Sequence, residues 1–503
     1  MKFTKFDFSK RTVIAFQSMV DPFSLKTGAY RINHPLIIFL LFLSLVGVGF
    51  FIADKGILAV AALLVLPFGV FFLIKVFENP LVGFFSVYLA NFVVLGLGRY
   101  FLNAPLGLVV DGLLVLSFIS VFFKYFYENF DWSRLNNPVV LLSLIWFGYS
   151  LFELVNPAAG SRIAWFYYVR SISLYMLLTV MLMFILMDRY KYFLWFIYLW
   201  MFFEVIGSWK GMIQIYVGLD PYETYWLNTE GYSTHVLFGK LRAFSFFSDA
   251  GQFGASQAHT AMVAAIMAIS SRNFKMRVTF IVVAIFCFWG AFISGTRGVW
   301  GVFGGAGLLW LLLNKNLKLF FVGTVFIGMV IFFFRYTYIG QGIYVIQRMR
   351  TAFDPKNASL QVRLENRAKL RPYLLARPFG GGIGNAGAKA KRFGPNTFLA
   401  NVPTDSWYVE IWAEQGIVGL LLHLGIWGFF LIKGSYIIMH RIRDPELKGQ
   451  MIAIICGIFG IMVSSYGNGV FGQMPTGLLM YSSIAFIFLA PRYDEELAQN
   501  NSN

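Results

Sequence analysis

The residues of this sequence best able to do chemistry are arginines at turn and helix spacings, accompanied by one aspartate. Arg297 sits in Ile293-Ser294-Gly295-Thr296-Arg297-Gly298-Val299-Trp300, a glycine-flanked turn between two apolar runs. A guanidinium there either snorkels to water as an interfacial anchor or binds an anion. Arg363, Arg367 and Arg371 follow one another at intervals of four, the spacing of one helix face. Such a stripe repels itself and settles against a polyanion, unless the helix simply lies on lipid headgroups. Arg377 opens Arg377-Pro378-Phe379-Gly380-Gly381-Gly382-Ile383-Gly384-Asn385. Here Gly382 and Gly384 either bring backbone amides close to a ligand or form a compact turn. Asp405, just before an apolar run, reads as the N-cap of that helix, as a general base ionised at neutral pH among the arginines, or as both. Arg242 offers a further guanidinium to the same face.

These groups must be positioned by membrane-spanning helices. The chain is 58% hydrophobic and 13% charged, against roughly 25% charged in soluble domains, and its mean hydropathy is +0.67. Runs long enough to cross a hydrocarbon core recur from Pro35 to Ala490, about fourteen in all. The fold class expected is all-α, a polytopic bundle of about 12–14 transmembrane helices with a large helical outside loop. Short basic connections at 188–191, 272–277, 314–318 and 440–443, with the basic leader 1–34, alternate onto one side, which the positive-inside rule makes the cytoplasm. The segments 156–170, 218–254 and above all 335–415 then lie outside. The last is strongly basic, and its field should attract a phosphate, a diphosphate or lipid headgroups. The expected divisions are the leader 1–34, a transmembrane bundle 35–217, a catalytic region 218–433 containing loop 335–415, and last helices with a cytoplasmic tail, 434–503. Cys287 and Cys456 lie inside apolar runs and exclude a cysteine metal cage; His235 and His259 are isolated and lack metal-ligand spacing. Asp111, Glu204 and Lys210 are read as pairing within the bundle.

In the order and spacing of three elements the sequence resembles the bacterial O-antigen ligase and Wzy-type O-antigen polymerase family. These are Ser-Gly-Thr-Arg-Gly at Arg297, Arg-Leu-Glu at Arg363 followed by the glycine cluster after Arg377, and Asp405 to Gly416 with its Glu414-x-Gly416 ending. The resemblance runs from about Arg242 to Lys433. It implies a multi-pass enzyme of the bacterial inner membrane with its active face periplasmic. Such an enzyme moves a glycan from undecaprenyl diphosphate to an acceptor hydroxyl, with neither cofactor nor metal and without a nucleotide sugar. The acceptor would be another glycan, a lipid A core or a protein hydroxyl; membrane lipids surround it, and no nucleic acid is a partner. Arg297 and Arg363 would neutralise the leaving diphosphate, with Arg242, Arg367, Arg371, Arg377, Gly382 and Gly384 binding substrate. Where family ligases carry a histidine followed by asparagine, this chain has Asp405 and Ser406, so a carboxylate would activate the acceptor.

Two other classes fit an apolar polytopic chain. One is a flippase or transporter of lipid-linked oligosaccharide, whose path would use Asp111, Glu204 and Lys210. The other is a non-catalytic component of a glycan assembly complex, which would tolerate loss of Asp405.

Overall fold

The computed structural model describes residues 35–101, 106–127, 131–342, 344–351, 353–354 and 357–502; the leader 1–34 and Lys356 lie outside the described residues. Among the described residues the protein is all-α apart from one hairpin pairing Val236–Leu237 with Lys240–Leu241. Every apolar run of the sequence lies in a helix: α1 Pro35–Lys55, α2 Ile57–Glu78, α3 Pro80–Leu97, α4 Gly107–Tyr127, α5 Pro138–Phe152, α6 Arg162–Leu186, α7 Tyr190–Tyr216, α8 Ala250–Ser270, α9 Phe274–Ile293, α10 Val299–Leu313 and α11 Leu317–Tyr336. The segment after α11 holds α12 Tyr344–Arg350 and α13 Ala358–Leu375, and the chain ends with α14 Trp407–His440, α15 Pro445–Ser464 and α16 Thr476–Ser502. Among the described residues, eight helices are long and apolar enough to cross a membrane. Contacts divide the chain into Met1–Ile74 and Lys75–Asn503, and the features below all belong to the second unit.

Small residues let four helices approach closely where lipid offers no hydrophobic driving force between them. Along α8, Gly254, Ala255, Ser256, Ala258, Ala261 and Ala264 are buried against α9, α10 and α15. A β-carbon on Gly254 would lie 2.2 Å from Ser294 Oγ, one on Gly457 2.5 Å from His259 Nε2, and one on Gly460 2.8 Å from the Val302 carbonyl. Several polar groups of the bundle are paired helix to helix. Glu204 of α7 accepts from Ser256 and Gln257 of α8, Asp111 of α4 pairs with Arg170 of α6, and Lys210 of α7 meets Glu223 at 2.9 Å.

The bundle has two distinct ends. One gathers Arg134–Asp188 (3.3 Å), Arg492–Asp188 (3.7 Å) and Arg272–Asp444 (3.5 Å), and there Asp494 accepts from the Arg443 and Asp444 amides. These are the short basic connections. The long connections meet at the opposite end.

Two sequence expectations change. Helix α6 begins at Arg162, so most of the expected loop 156–170 is helical. Trp165 anchors this early turn by donating to the Ser150 carbonyl, and a π-turn at Arg170–Leu174 carries the helix on into the bundle. Asp405 is not the N-cap of α14. That position is Ser406, whose side chain makes no capping bond, and the Trp407 amide finds the carbonyls of Ser465 (3.1 Å) and Asn468 (3.2 Å). The Asp405 carboxylate is thereby left for other partners.

Candidate active site

Arg297 is held in place by the four-helix core. Ser294 ends α9, Gly295 adopts a left-handed conformation (φ 58°), and Thr296 Oγ1 donates to the Ala250 carbonyl at the start of α8 (2.7 Å). On the far side of the turn Gly298 abuts the end of α15, where a β-carbon would meet Asn468 Nδ2 at 2.1 Å. From this turn the Arg297 guanidinium donates to Asn357 Oδ1 (2.7 Å), just before α13, while Arg348 of α12 approaches the Gly295 carbonyl (3.5 Å). Burial, then the charges of Arg348, Arg363 and Arg242, lower the Arg297 pKa to about 10. It remains a cation at neutral pH, but one crowded by like charges from separate connections.

Arg242 serves as a strut. Its guanidinium donates to the carbonyls of Ser294 (3.0 Å) and Thr234 (2.8 Å) and to Thr296 Oγ1 (2.8 Å), so it braces the Arg297 turn while adding charge to it. Arg99, at the end of α3, secures the neighbouring segment. It donates to the Ser245 and Phe247 carbonyls and lies 4.5 Å from the ring centres of both Trp226 and Phe244.

Helix α13 turns Arg363, Asn366, Arg367, Leu370 and Leu374 toward the protein. Leu370 and Leu374 seat it on a small apolar cluster with Ala386, Leu399, Val402 and Ala413. Arg363 Nε then lies 3.5 Å from Asp405 Oδ2, a carboxylate 49% exposed. Arg367 donates to Tyr466 Oη (2.6 Å) and stacks on its ring at the edge of the same cleft. Arg371 is exposed on the next face, and Arg377 folds back over Tyr373, 3.9 Å from its ring centre. Of the basic residues singled out in the sequence, Arg297, Arg363 and Arg242 share the site. Arg367 borders it, and Arg371 and Arg377 stand apart.

The glycine cluster packs against the protein itself. Gly382 and Gly384 are buried with positive φ (86° and 79°), and β-carbons there would strike Ala159 (2.6 Å) and Tyr168 (2.7 Å). Amides of Gly381 and Gly382 donate to the Ala413 and Glu414 carbonyls, fastening the cluster to the kink of α14 at Gly416 (φ 68°). Gly416→Ala places a β-carbon 1.9 Å from the Pro378 carbonyl oxygen in a conformation L-residues avoid. We expect it to cost about 3 kcal/mol or more, read as a lowered melting midpoint in detergent and reduced protein in the membrane.

Beside the kink, Lys389 lies between Glu410 and Glu414 (2.9 Å to the latter). Burial opposes its charge, but the two carboxylates outweigh burial and raise its pKa. Lys389, Arg348, Asn357 and the 464–468 segment are participants the sequence does not mark, since each acquires its place only through contacts distant in the chain. Among the described residues, no three His, Cys, Asp or Glu side chains are grouped to hold a metal ion.

A search of curated proteins finds no match to this chain. A family model described as O-Antigen ligase does match, over residues 280–424. The matched stretch contains the Arg297 turn, Arg363 and Asp405, while Arg242 and the 464–468 segment lie outside it. This segment of the chain is what is similar to the O-antigen ligase family model.

Proposed function

We propose that the protein is a glycosyltransferase of surface polysaccharide assembly, moving a glycan from undecaprenyl diphosphate to an acceptor hydroxyl on the periplasmic face of the bacterial inner membrane. One observation carries this reading. Arg297, Arg363, Arg348 and Arg242 crowd their charges together at one end of the bundle, and a carboxylate stands 3.5 Å from Arg363. Clustered guanidiniums suit a diphosphate, which offers many oxygen acceptors and neutralises the repulsion among them. The basic connections at the opposite end suit a cytoplasmic side under the positive-inside rule, which supports reading the arginine cluster as periplasmic.

In this mechanism an acceptor hydroxyl attacks the anomeric carbon while its proton passes to Asp405. The bond from that carbon to the diphosphate oxygen breaks, and its electron pair leaves on the diphosphate. Arg297 and Arg363 stabilise the charge that develops there. Direct displacement inverts the anomeric centre. A polymerase, with a carrier-linked glycan as acceptor, and a ligase, with lipid A core or a protein hydroxyl as acceptor, would use the same parts. A transport path is less favoured, because Asp111, Glu204 and Lys210 are each engaged by partners inside the protein.

The test is purified protein in sealed proteoliposomes with a labelled carrier-linked glycan. Release of free carrier diphosphate together with glycan transfer supports the enzyme; translocation without bond cleavage rejects it. A simpler measurement addresses the anion site alone. Inorganic pyrophosphate at about a hundred times its dissociation constant should stabilise the protein by roughly 2.7 kcal/mol, seen as a raised melting midpoint. An equal rise with sulfate at the same ionic strength would mean that the site does not select a diphosphate.

A further inference from the structure

Asn366 lies three residues beyond Arg363 on the inward face of α13. It is 9% exposed, and its Nδ2 has no hydrogen-bond partner in the protein. Buried donors without an acceptor are rare in native folds, and where they occur beside a cleft they point to something that binds there. The cleft is narrow. Arg363, Asn366, Arg367, Pro403, Asp405, Ser406 and Val409 line it, and it has room for about one water-sized group.

That size and that pair of side chains define a ligand group. The enclosed part of the cleft accommodates a single hydroxyl. Arg367 is engaged with Tyr466, and Arg363 pairs with Asp405 by charge at 3.5 Å, while the Asn366 amide is the unpartnered neutral donor lining the same cleft as the carboxylate. A hydroxyl between the two donates its proton toward Asp405 and accepts from Asn366 Nδ2 on one lone pair. Its second lone pair is then left pointing away from both side chains. We propose that Asn366 binds and orients the acceptor hydroxyl for attack, an inference that rests on the glycan-transfer reading. The hydroxyl oxygen forms the new bond to the anomeric carbon, Asp405 receives its proton, and the diphosphate departs with the electron pair of the broken bond. Asn366 itself exchanges no proton; it fixes which lone pair is free.

The test separates this role from a structural one by splitting the kinetic constants. In the transfer assay Asn366→Ala should raise the KM for acceptor about tenfold while leaving the KM for donor unchanged, and Asn366→Gln should recover part of the loss. An unchanged acceptor KM, or equal losses toward donor and acceptor, overturns the assignment. A second readout needs no turnover. In Asn366→Cys the native cysteines are both buried, so a small methanethiosulfonate reagent reports on the introduced thiol. Free glycan released by mild acid from the producing cell's carrier lipid should slow labelling severalfold. Labelling that is absent, or that the glycan does not slow, overturns the acceptor site. Protection in a protein that transfers nothing keeps the acceptor site and removes the transferase reading instead.

Discussion

Arg297→Ala should lower glycan transfer by at least ~100-fold, and Arg363→Ala by a similar factor, because removing one preorganised donor to a developing negative charge costs about 10²–10³ in rate. Both proteins should still reach the membrane at the parental level. Arg297 is pressed by the charges of Arg348, Arg363 and Arg242, so its removal relieves that repulsion while giving up contacts that include the hydrogen bond to Asn357. The melting midpoint without ligand should therefore hold or rise, while the stabilisation by pyrophosphate should shrink. Lysine at either position keeps the charge but loses the planar fork, and should restore only part of the rate. Transfer at the parental rate in both alanine variants would remove the arginines from the chemistry. A fall in both rate and ligand-free stability would make them structural.

Much of this site can be read along the chain, and its misreadings have identifiable causes. The Arg297 turn is legible because a charged residue between two apolar runs has only one place to go, the water boundary. The spacing of Arg363, Arg367 and Arg371 correctly predicts a helix but overstates how many of them share a face. At 3.6 residues per turn each step of four advances about 40°, so Arg371 has rotated roughly 80° from Arg363. The face is set by Leu370 and Leu374, which seat α13 on Leu399 and Ala413 and leave Arg371 in solvent.

The glycine cluster shows a different limit. Repeated glycines announce positive φ or close approach, but not what approaches. Around Gly382 and Gly384 it is Ala159, Ala164 and Tyr168, from α6 and the turn before it, more than two hundred positions earlier in the chain. Asp405 carries an N-cap signature, yet the N-cap is Ser406 and carbonyls at the end of α15 meet the Trp407 amide. Asn366 and Asn468 have no linear signal at all. What makes Asn366 notable is burial beside a carboxylate brought from 39 positions away, which only the fold reveals.

Lys389→Met should be among the most destabilising single changes in the protein, by roughly 3–5 kcal/mol, the usual cost of removing one partner from a buried ion pair. Glu414 is fully buried, Glu410 is partly buried, and one ammonium serves both. Methionine preserves much of the side-chain volume, so the loss would report charge rather than a cavity. Since the glycine cluster and the Gly416 kink bear on Glu414 through backbone bonds, the loss should also loosen the segment leading to Asp405. Neutralising the stranded carboxylate with Glu414→Gln in the Lys389→Met background should return part of the stability, a coupling that independent sites would not show. The pH dependence gives a further check. The folded protein holds the Lys389 proton more tightly than the unfolded chain does, so the ion pair contributes fully below the ordinary lysine value of 10.5 and is lost as pH rises beyond it. The stability gap between parent and variant should accordingly narrow as pH rises above about 10.5, measured as melting midpoints in detergent across an alkaline series. A gap that does not narrow across that alkaline series would mean that something other than this ammonium holds the two carboxylates.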